Sequence, residues 1–105
     1  MSENTLDPIL GELLEITLDN VQLDFEAAKE QAKSHARQLH RNAMLLSWHD
    51  RRTDAFGPPV RCGADRRSPW VVWAASRGAD LTVRVNGGIY VFYFLKSFRP
   101  EASSL

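Results

Sequence analysis

The sequence predicts an α+β fold, in which one principal helix over about residues 25–41 packs on a mostly antiparallel sheet of four or five strands. The first observation is a hairpin pattern at residues 81–85 and 89–95 around Asn86-Gly87-Gly88, since Asn and Gly adopt the positive φ angles that tight hairpin turns need. The second is a stripe of small and apolar residues at helical spacing after Asp24. Because most predicted strands follow this helix, we expect a β-meander in the C-terminal half.

Two short elements are predicted before the principal helix. Asp7 and Pro8 are typical of the N-cap and the first turn of a helix, which would run to about Leu14. A short strand over residues 16–18 follows, because the chain there looks extended before the polar pair Asp19-Asn20 interrupts it. Both elements precede the part of the chain on which the fold class depends.

The principal helix is predicted to begin at Asp24, an N-cap residue type that precedes a run of good helix formers. Five residues share one side of this helix, on a stripe about 80° wide. Three of the five are alanines, so we expect the helix axis to approach the sheet closely. The stripe consists of Phe25, Ala28, Ala32, Ala36 and Leu39.

The remaining strands are predicted where apolar residues alternate with polar ones or follow one another. Residues 43–49 alternate along the chain, which is typical of a strand. Residues 70–75 and 89–95 are apolar at almost every position, which we interpret as strands without a polar face. Residues 50–69 are predicted to form a long loop, in which residues 60–62 fit a short strand.

Strands that are apolar on both faces need cover on both faces. A single helix of about 17 residues is roughly 25 Å long and covers one face of such a sheet. We therefore expect the second face to lie in a homodimer contact, because closed two-fold contacts commonly bury patches of this kind. The candidate interface residues are the aromatic ones, Tyr90, Phe92, Phe94, Trp70 and Trp73.

Composition and charge narrow the class of protein. The chain fits one domain over residues 1–105, and we expect the tails at residues 1–6 and 100–105 to be frayed. The formal net charge of zero argues against nucleic acid and membrane partners. The first 30 residues carry a charge of −7 and the rest +7, so these parts can pair within one fold or between subunits. Because the N-terminus lacks the pattern of a signal peptide, we expect a cytoplasmic protein.

Two sets of residues near the predicted loop are candidates for a functional site. His49 and Asp50 end a strand and Cys62 lies in the loop, which would suit a small enzyme or a thiol-reactive protein. The same residues also fit a polar strand end and an inert cysteine, and this favours a binding module over an enzyme. The second set would bind an anion or nucleic acid and consists of Arg51, Arg52, Arg61, Arg66 and Arg67.

Motifs for metals, cofactors and disulfides are not found in the sequence. It contains neither Cys-x-x-Cys nor His-x-x-x-His, so we expect no metal site. Its single cysteine excludes an internal disulfide. Because Asn86-Gly87-Gly88 belongs to a hairpin and opens no helix, it is not a phosphate-binding loop. We therefore expect no cofactor, and the sequence leaves a small-molecule ligand undefined.

Four stretches of the sequence carry a resemblance to known proteins: Leu23-Asp24-Phe25, Ser47-Trp48-His49-Asp50-Arg51, Ser76-Arg77-Gly78-Ala79-Asp80-Leu81 and Asn86-Gly87-Gly88-Ile89-Tyr90-Val91-Phe92. They are similar to a family of small prokaryotic proteins of unknown function. The resemblance covers about residues 16–95 and implies neither an activity nor catalytic residues.

The function that the sequence favours is that of a small cytoplasmic binding or assembly module, with a second copy of itself as the partner. Two alternatives stay open. One is a small enzyme that uses Cys62, His49 and Asp50, and the other is an anion or nucleic-acid binder that uses the arginine-rich loop.

Overall fold

The computed structural model describes residues 7–18, 24–59 and 68–97. These residues form five strands, two helices and a short 3₁₀ turn. In chain order they are β1 (Glu12–Ile16), α1 (Phe25–Leu39), β2 (Met44–Asp50), β3 (Ala55–Gly57), α2 (Pro69–Ser76), β4 (Leu81–Val85), the 3₁₀ turn (Asn86–Gly88) and β5 (Tyr90–Leu95).

The five strands form one sheet in the order β1-β4-β5-β2-β3. The β1–β4 pair is parallel, and the other three pairs are antiparallel. The predicted α+β class with a mostly antiparallel sheet is therefore confirmed. The strand order shows two hairpins, β2–β3 and β4–β5, joined where β5 pairs with β2, so the C-terminal strands do not follow one another in a continuous meander.

Helix α1 forms as its sequence predicts. Asp24 is the N-cap, and its Oδ1 accepts a hydrogen bond of 2.9 Å from the Ala27 N–H. Ala28, Ala32 and Ala36 are fully buried against one face of the sheet. The small side chains let the helix pack closely over a list of large ones from the central strands: Val83, Tyr90, Phe92 and Phe94.

The predicted strand at residues 70–75 is wrong, because these residues form helix α2. Trp70, Val71 and Ala74 are buried at helical spacing on the sheet face opposite α1. A short apolar run does not distinguish a buried helix from a buried strand by periodicity. The stronger sequence signal was Pro69 at the first helical position after Ser68, which is a common helix start.

The predicted helix from Asp7 to Leu14 is also wrong. Residues 7–10 have no regular secondary structure, and strand β1 begins at Glu12. Gly11 has a φ of +73°, which a helix interior does not accommodate. The strand predicted at 16–18 therefore begins four residues earlier and ends two residues earlier than expected, and it pairs with β4.

The second sheet face is covered within one chain, so the expectation of an uncovered aromatic face is wrong. Tyr90, Phe92 and Phe94 are buried beneath α1 and form no free surface. Trp70 lies in the smaller core that α2 forms with Val91 and Tyr93. Of the five interface candidates only Trp73 is half-exposed, and the Arg77 guanidinium stacks 3.7 Å from its ring centre. The homodimer itself stays a prediction, but it needs another surface.

The part of the chain that the structure describes contains no helix long and apolar enough to span a membrane.

Candidate functional site

Two rows of residues that include several polar side chains lie on the sheet face beneath α2. Strand register places one row of residues side by side across all five strands: Glu15, Arg84, Val91, His49 and Phe56. A second row runs parallel to it and consists of Leu13, Thr82, Tyr93 and Ser47. Arginine, histidine, threonine and serine are therefore brought together on the inner side of a small protein, where polar groups need partners.

A β-bulge brings Ser47 onto this face. The pairing of β2 with β5 shifts register between Leu45 and Ser47, so Leu46 is an extra residue in β2. Ser47 is buried, and its hydroxyl donates a hydrogen bond of 2.7 Å to the carbonyl of Trp70 in α2. The bulge therefore fixes α2 on the sheet through a polar contact that simple alternation does not predict.

His49 lies at the centre of the site and contacts a carboxylate at each ring nitrogen. Its Nδ1 is 2.8 Å from Oδ2 of Asp7, and its Nε2 is 2.9 Å from Oδ1 of Asp54. His49 and Asp7 are buried, whereas the Asp54 side chain is 84% exposed. The imidazole also stacks on the Trp70 ring, at 3.8 Å between ring centres and 18° between planes. The ring is therefore fixed in position and orientation from three sides.

The two carboxylates decide the charge of His49. Burial by itself would lower the pKa of His49, but the hydrogen bonds with Asp7 and Asp54 and the charges of these two groups outweigh burial and raise it above 6.5. An imidazolium donates from both nitrogens and so satisfies both carboxylates, which a neutral imidazole does not. The arrangement of the two carboxylates therefore favours the imidazolium form of His49.

Residues 7–10, which we call the strap, are held on the sheet by side chains of three strands. The Tyr93 hydroxyl donates a hydrogen bond of 2.7 Å to the Pro8 carbonyl. The Thr82 hydroxyl accepts from the Leu10 N–H at 2.7 Å and donates to the Leu10 carbonyl at 2.9 Å. Burial raises the pKa of Tyr93, so its hydroxyl keeps the proton that it donates. Together with Asp7 on His49, these contacts make the strap part of the site.

Arg84 is the least satisfied member of the site. Its Nη1 is 3.7 Å from the Glu15 carboxylate, and its Nη2 donates a long hydrogen bond of 3.5 Å to the Asp7 carbonyl. Its Nε is buried without a hydrogen-bond partner among the described residues, as is Nε1 of Trp70. Arg84 therefore supplies positive charge beside the strap without contacting the Asp7 carboxylate directly.

The structure separates the residues that the sequence grouped as a catalytic candidate. Asp50 follows His49 in β2 and so points to the opposite face, where its Oδ1 accepts from the Arg52 N–H at 2.9 Å. The carboxylates that do contact His49 come from Asp7 and Asp54. Cys62 lies outside the described residues.

Only two of the predicted anion-binding arginines lie in the described part of the chain. Arg51 and Arg52 are exposed in the turn after β2. The Arg52 guanidinium donates a hydrogen bond of 3.0 Å to the Tyr90 hydroxyl. The other three candidates, Arg61, Arg66 and Arg67, lie outside the described residues. Within those residues, no group of three or more His, Cys, Asp or Glu side chains is arranged to hold a metal ion.

Sequence reasoning identified His49 but missed the residues that surround it. Asp7 and His49 are 42 positions apart, and this spacing alone does not indicate a contact. A weaker signal was present in β4, where Thr82 and Arg84 alternate with apolar residues of a strand that lies inside the sheet. Buried polar residues on one face of an inner strand indicate that something polar covers that face.

The comparison with known proteins agrees with the resemblance read from the sequence. Residues 12–94 match the family described as Domain of unknown function (DUF5619). The chain belongs to this family. An uncharacterized protein of Archaeoglobus fulgidus is 36% identical over 77 residues, which cover 70% of this chain and 80% of that protein. The crystal structure of a protein from Archaeoglobus fulgidus has 31% identity and a TM-score of 0.70, covering 86% of this chain and 99% of the other.

The residues that match the family include only part of the candidate site of this DUF5619 protein. His49, Asp54 and Arg84 lie within the matched residues 12–94, whereas Asp7 and the rest of the strap precede them. The strap therefore lies outside the residues that the family model matches. The predicted family of unknown function is confirmed, and its description assigns no activity to these residues.

Proposed function

We propose that this protein is a small assembly module, which forms a homodimer by antiparallel pairing of strand β1 with β1 of a second copy. The observation that supports this proposal is the position of β1 at the edge of the sheet. An edge strand presents unpaired backbone N–H and C=O groups, to which another strand can add. Among the described residues, α1, α2 and the strap cover both faces of the sheet, and β1 and β3 are its two edges.

The direction of the backbone groups in β1 follows from one hydrogen bond. Glu12 donates its N–H to the Asp80 carbonyl at 3.0 Å, so its backbone groups face β4. In a strand the backbone groups of successive residues point to opposite sides. Those of Leu14 and Ile16 therefore also face β4, and those of Leu13 and Glu15 face outward. Two residues of each copy would supply the hydrogen bonds of the contact.

The other edge of the sheet is less suited to pairing. Strand β3 has three residues and is followed by Pro58 and Pro59, which have no N–H to donate. Short edge strands and prolines are features that keep sheet edges from associating. In contrast, β1 has five residues and contains neither proline nor a bulge.

The acidic residues of β1 do not oppose such a contact, because basic side chains of the same chain partner them. Glu12 Oε1 lies 3.0 Å from Lys96 Nζ and 3.3 Å from His40 Nε2, and these hydrogen bonds lower the pKa of Glu12. Glu15 lies 3.7 Å from Arg84. Charged residues on an edge strand hinder pairing. In β1 this repulsion is reduced, because Glu12 and Glu15 of the acidic front pair with Lys96 and Arg84 of the basic rear inside one fold.

A two-fold axis beside Leu14 would make the contact self-complementary. In this register Leu13 of one copy lies opposite Glu15 of the other, so the outward backbone groups of both strands meet and the two Glu15 residues are not opposite each other. The pairing would extend two five-stranded sheets into one sheet of ten strands. The partner in this arrangement is a second copy of the chain.

Sedimentation equilibrium tests the proposed dimer. At micromolar concentration we expect a mass of about 24 kDa, twice that of the 11.9 kDa chain. Leu13→Pro removes an outward N–H without touching the ladder to β4, and should give a folded monomer. Leu13→Val keeps that N–H and is the matched control, which should stay dimeric. A monomeric wild type, or a Leu13→Pro protein that is still a dimer, would contradict the proposal.

A second candidate function is a small enzyme in which His49 transfers protons. The observation in its favour is the 2.8 Å contact of His49 Nδ1 with the buried Asp7, because a carboxylate at this position orients a catalytic imidazole. Asp54 would then have to leave Nε2. The partner predicted from the sequence is Cys62, as a thiolate nucleophile.

Alkylation of Cys62 by iodoacetamide tests this second candidate. A thiolate stabilised by His49 should react quickly at neutral pH, and His49→Gln should slow the reaction by about tenfold or more, the change that follows from a pKa higher by about one unit. His35→Gln, in α1, is the control and should leave the rate unchanged. A slow rate in the wild type that His49→Gln does not alter would exclude thiol chemistry based on His49.

A further inference from the structure

The contact of the strap with the sheet is mostly polar. Pro8 and Ile9 are exposed, and Ile9 is 44% accessible to solvent. Leu10 is the one apolar side chain of the strap that packs on the smaller core. The strap is therefore held mainly by Asp7 on His49 and by the hydroxyl groups of Thr82 and Tyr93. Because little apolar area fixes it, its attachment depends on the electrostatic state of these partners.

In the part of the chain that the structure describes, the Asp7 carboxylate has one cationic partner in direct contact, His49, and that partner can lose its charge. Arg84 reaches the Asp7 carbonyl at 3.5 Å and not its carboxylate. The other charged group at His49 is Asp54, which is a second carboxylate. Once His49 is neutral, a buried carboxylate is left without a charged partner, which is costly. Hydration of Asp7 would relieve this cost and requires the strap to move.

The groups that face His49 in the described part of the chain are few. From the strap comes Asp7, from the turn after β2 comes Asp54, and from β4 comes Arg84 in the same row. Strand β5 contributes Val91 in register, with Tyr93 in the next row. Helix α2 contributes Trp70 and strand β3 contributes Phe56, neither of which titrates. Among these described residues, the proton on His49 is therefore the charge beside the strap that changes closest to neutral pH.

We propose that the strap is a pH-controlled segment, which is held most strongly on the sheet while His49 is an imidazolium between Asp7 and Asp54, and which is released more readily once His49 is neutral and has a single N–H left to donate. The proton leaves one ring nitrogen for solvent, and that nitrogen then presents its lone pair to a carboxylate. Asp54 turns freely into water because its side chain is 84% exposed. Asp7 reaches water only by taking the strap with it.

The direction of the pH effect follows from the raised pKa of His49. The ion pairs contribute their full stabilisation below the unfolded pKa of 6.5. They lose it as the pH rises through the higher pKa of the folded state. The strap is therefore held most strongly below pH 6.5, and its attachment weakens as the pH rises through the folded-state pKa of His49. This behaviour is independent of the proposed dimer, which depends on β1.

Hydrogen exchange of the Leu10 amide measures attachment of the strap, since this N–H is bonded to Thr82. Between about pH 5.5 and 9 its protection, corrected for intrinsic exchange, should fall by about tenfold for each unit by which the folded pKa exceeds the unfolded one. NMR titration of the His49 ring should give the same midpoint. The Phe92 amide in the core reports global unfolding and should stay protected throughout.

Two variants with controls make the test decisive. His49→Gln removes the titrating group, so Leu10 protection should no longer change with pH; His35→Gln should leave the wild-type profile intact. Asp54→Asn, at an exposed site, should shift the midpoint to lower pH. Glu26→Gln, at an exposed position of α1, should leave the midpoint unchanged. The proposal is overturned if Leu10 stays protected while His49 titrates, if Phe92 loses protection together with Leu10, or if Asp54→Asn leaves the midpoint unchanged.

Discussion

Replacing Gly11 with alanine should destabilise the protein by about 2–5 kcal/mol. Part of this cost comes from the backbone, because Gly11 has a φ of +73° and a left-handed conformation costs a residue with a Cβ about 1–2 kcal/mol. The rest comes from space, because the new Cβ would lie less than 3.0 Å from the backbone of Asp80. Overpacking of this kind costs about 1–3 kcal/mol. The strand cannot avoid the clash without losing the Glu12–Asp80 hydrogen bond that starts β1.

Gly87→Ala is the matched control for this prediction. Gly87 also has a φ of +73°, but nothing lies within 4 Å of the position where its Cβ would be. The Gly87→Ala variant should therefore lose only the free energy of unfolding that a left-handed backbone costs, about 1–2 kcal/mol. Urea unfolding of both variants gives the difference between them, which isolates the close approach of β1 to Asp80. Equal losses of stability in the two variants would mean that β1 does not start against Asp80.

Replacing Ala32 with leucine should cost about 1–3 kcal/mol of unfolding free energy. Ala32 is fully buried in the middle of α1, between Ala28 and Ala36, and faces the aromatic residues of β5. The three alanines set the distance between helix and sheet, so three additional carbon atoms have no space to occupy. The helix must then move away from Phe92 or adopt a strained side-chain conformation.

Gln31→Leu is the control for the helix variant. Gln31 is the neighbouring residue of α1 and is exposed, so the same leucine side chain would extend into water. Its effect should stay within about 0.5 kcal/mol, as is usual for surface substitutions. Thermal and urea unfolding of the two variants measures the difference. A neutral Ala32→Leu variant would show that the alanine stripe does not face the sheet.

Helix α1 and the β4–β5 hairpin could be predicted because their signals are local. The Asp24 cap, the alanine spacing and the Asn86-Gly87-Gly88 turn each lie within a few residues of what they determine. Alternation also assigned the two faces of β5 correctly, since Tyr90, Phe92 and Phe94 share one core and Val91 and Tyr93 the other. These predictions hold because the packing of the core favours the same conformation that the local sequence already prefers.

Helix α2 and strand β1 could not be predicted in the same way. The run from Trp70 to Ala75 is apolar throughout, so its periodicity does not distinguish a helix from a strand. The tertiary structure decides that it forms a helix, which covers the second face of the sheet. β1 is a strand because β4 offers it a parallel partner 69 positions away in register, Glu12 with Leu81. No local pattern near Asp7 and Gly11 contains that partner.

The sequence by itself determined the α+β class, the place of the principal helix, the family resemblance and the candidacy of His49. Only the tertiary structure decided what His49 contacts, because Asp7 comes from a strap 42 positions earlier and Asp54 from a turn that follows β2. It also decided that the aromatic residues of β5 form core and not surface. The physical reason is the same in each case: spacing along the chain records local conformation, whereas burial and charge pairing depend on residues that only the folded sheet brings together.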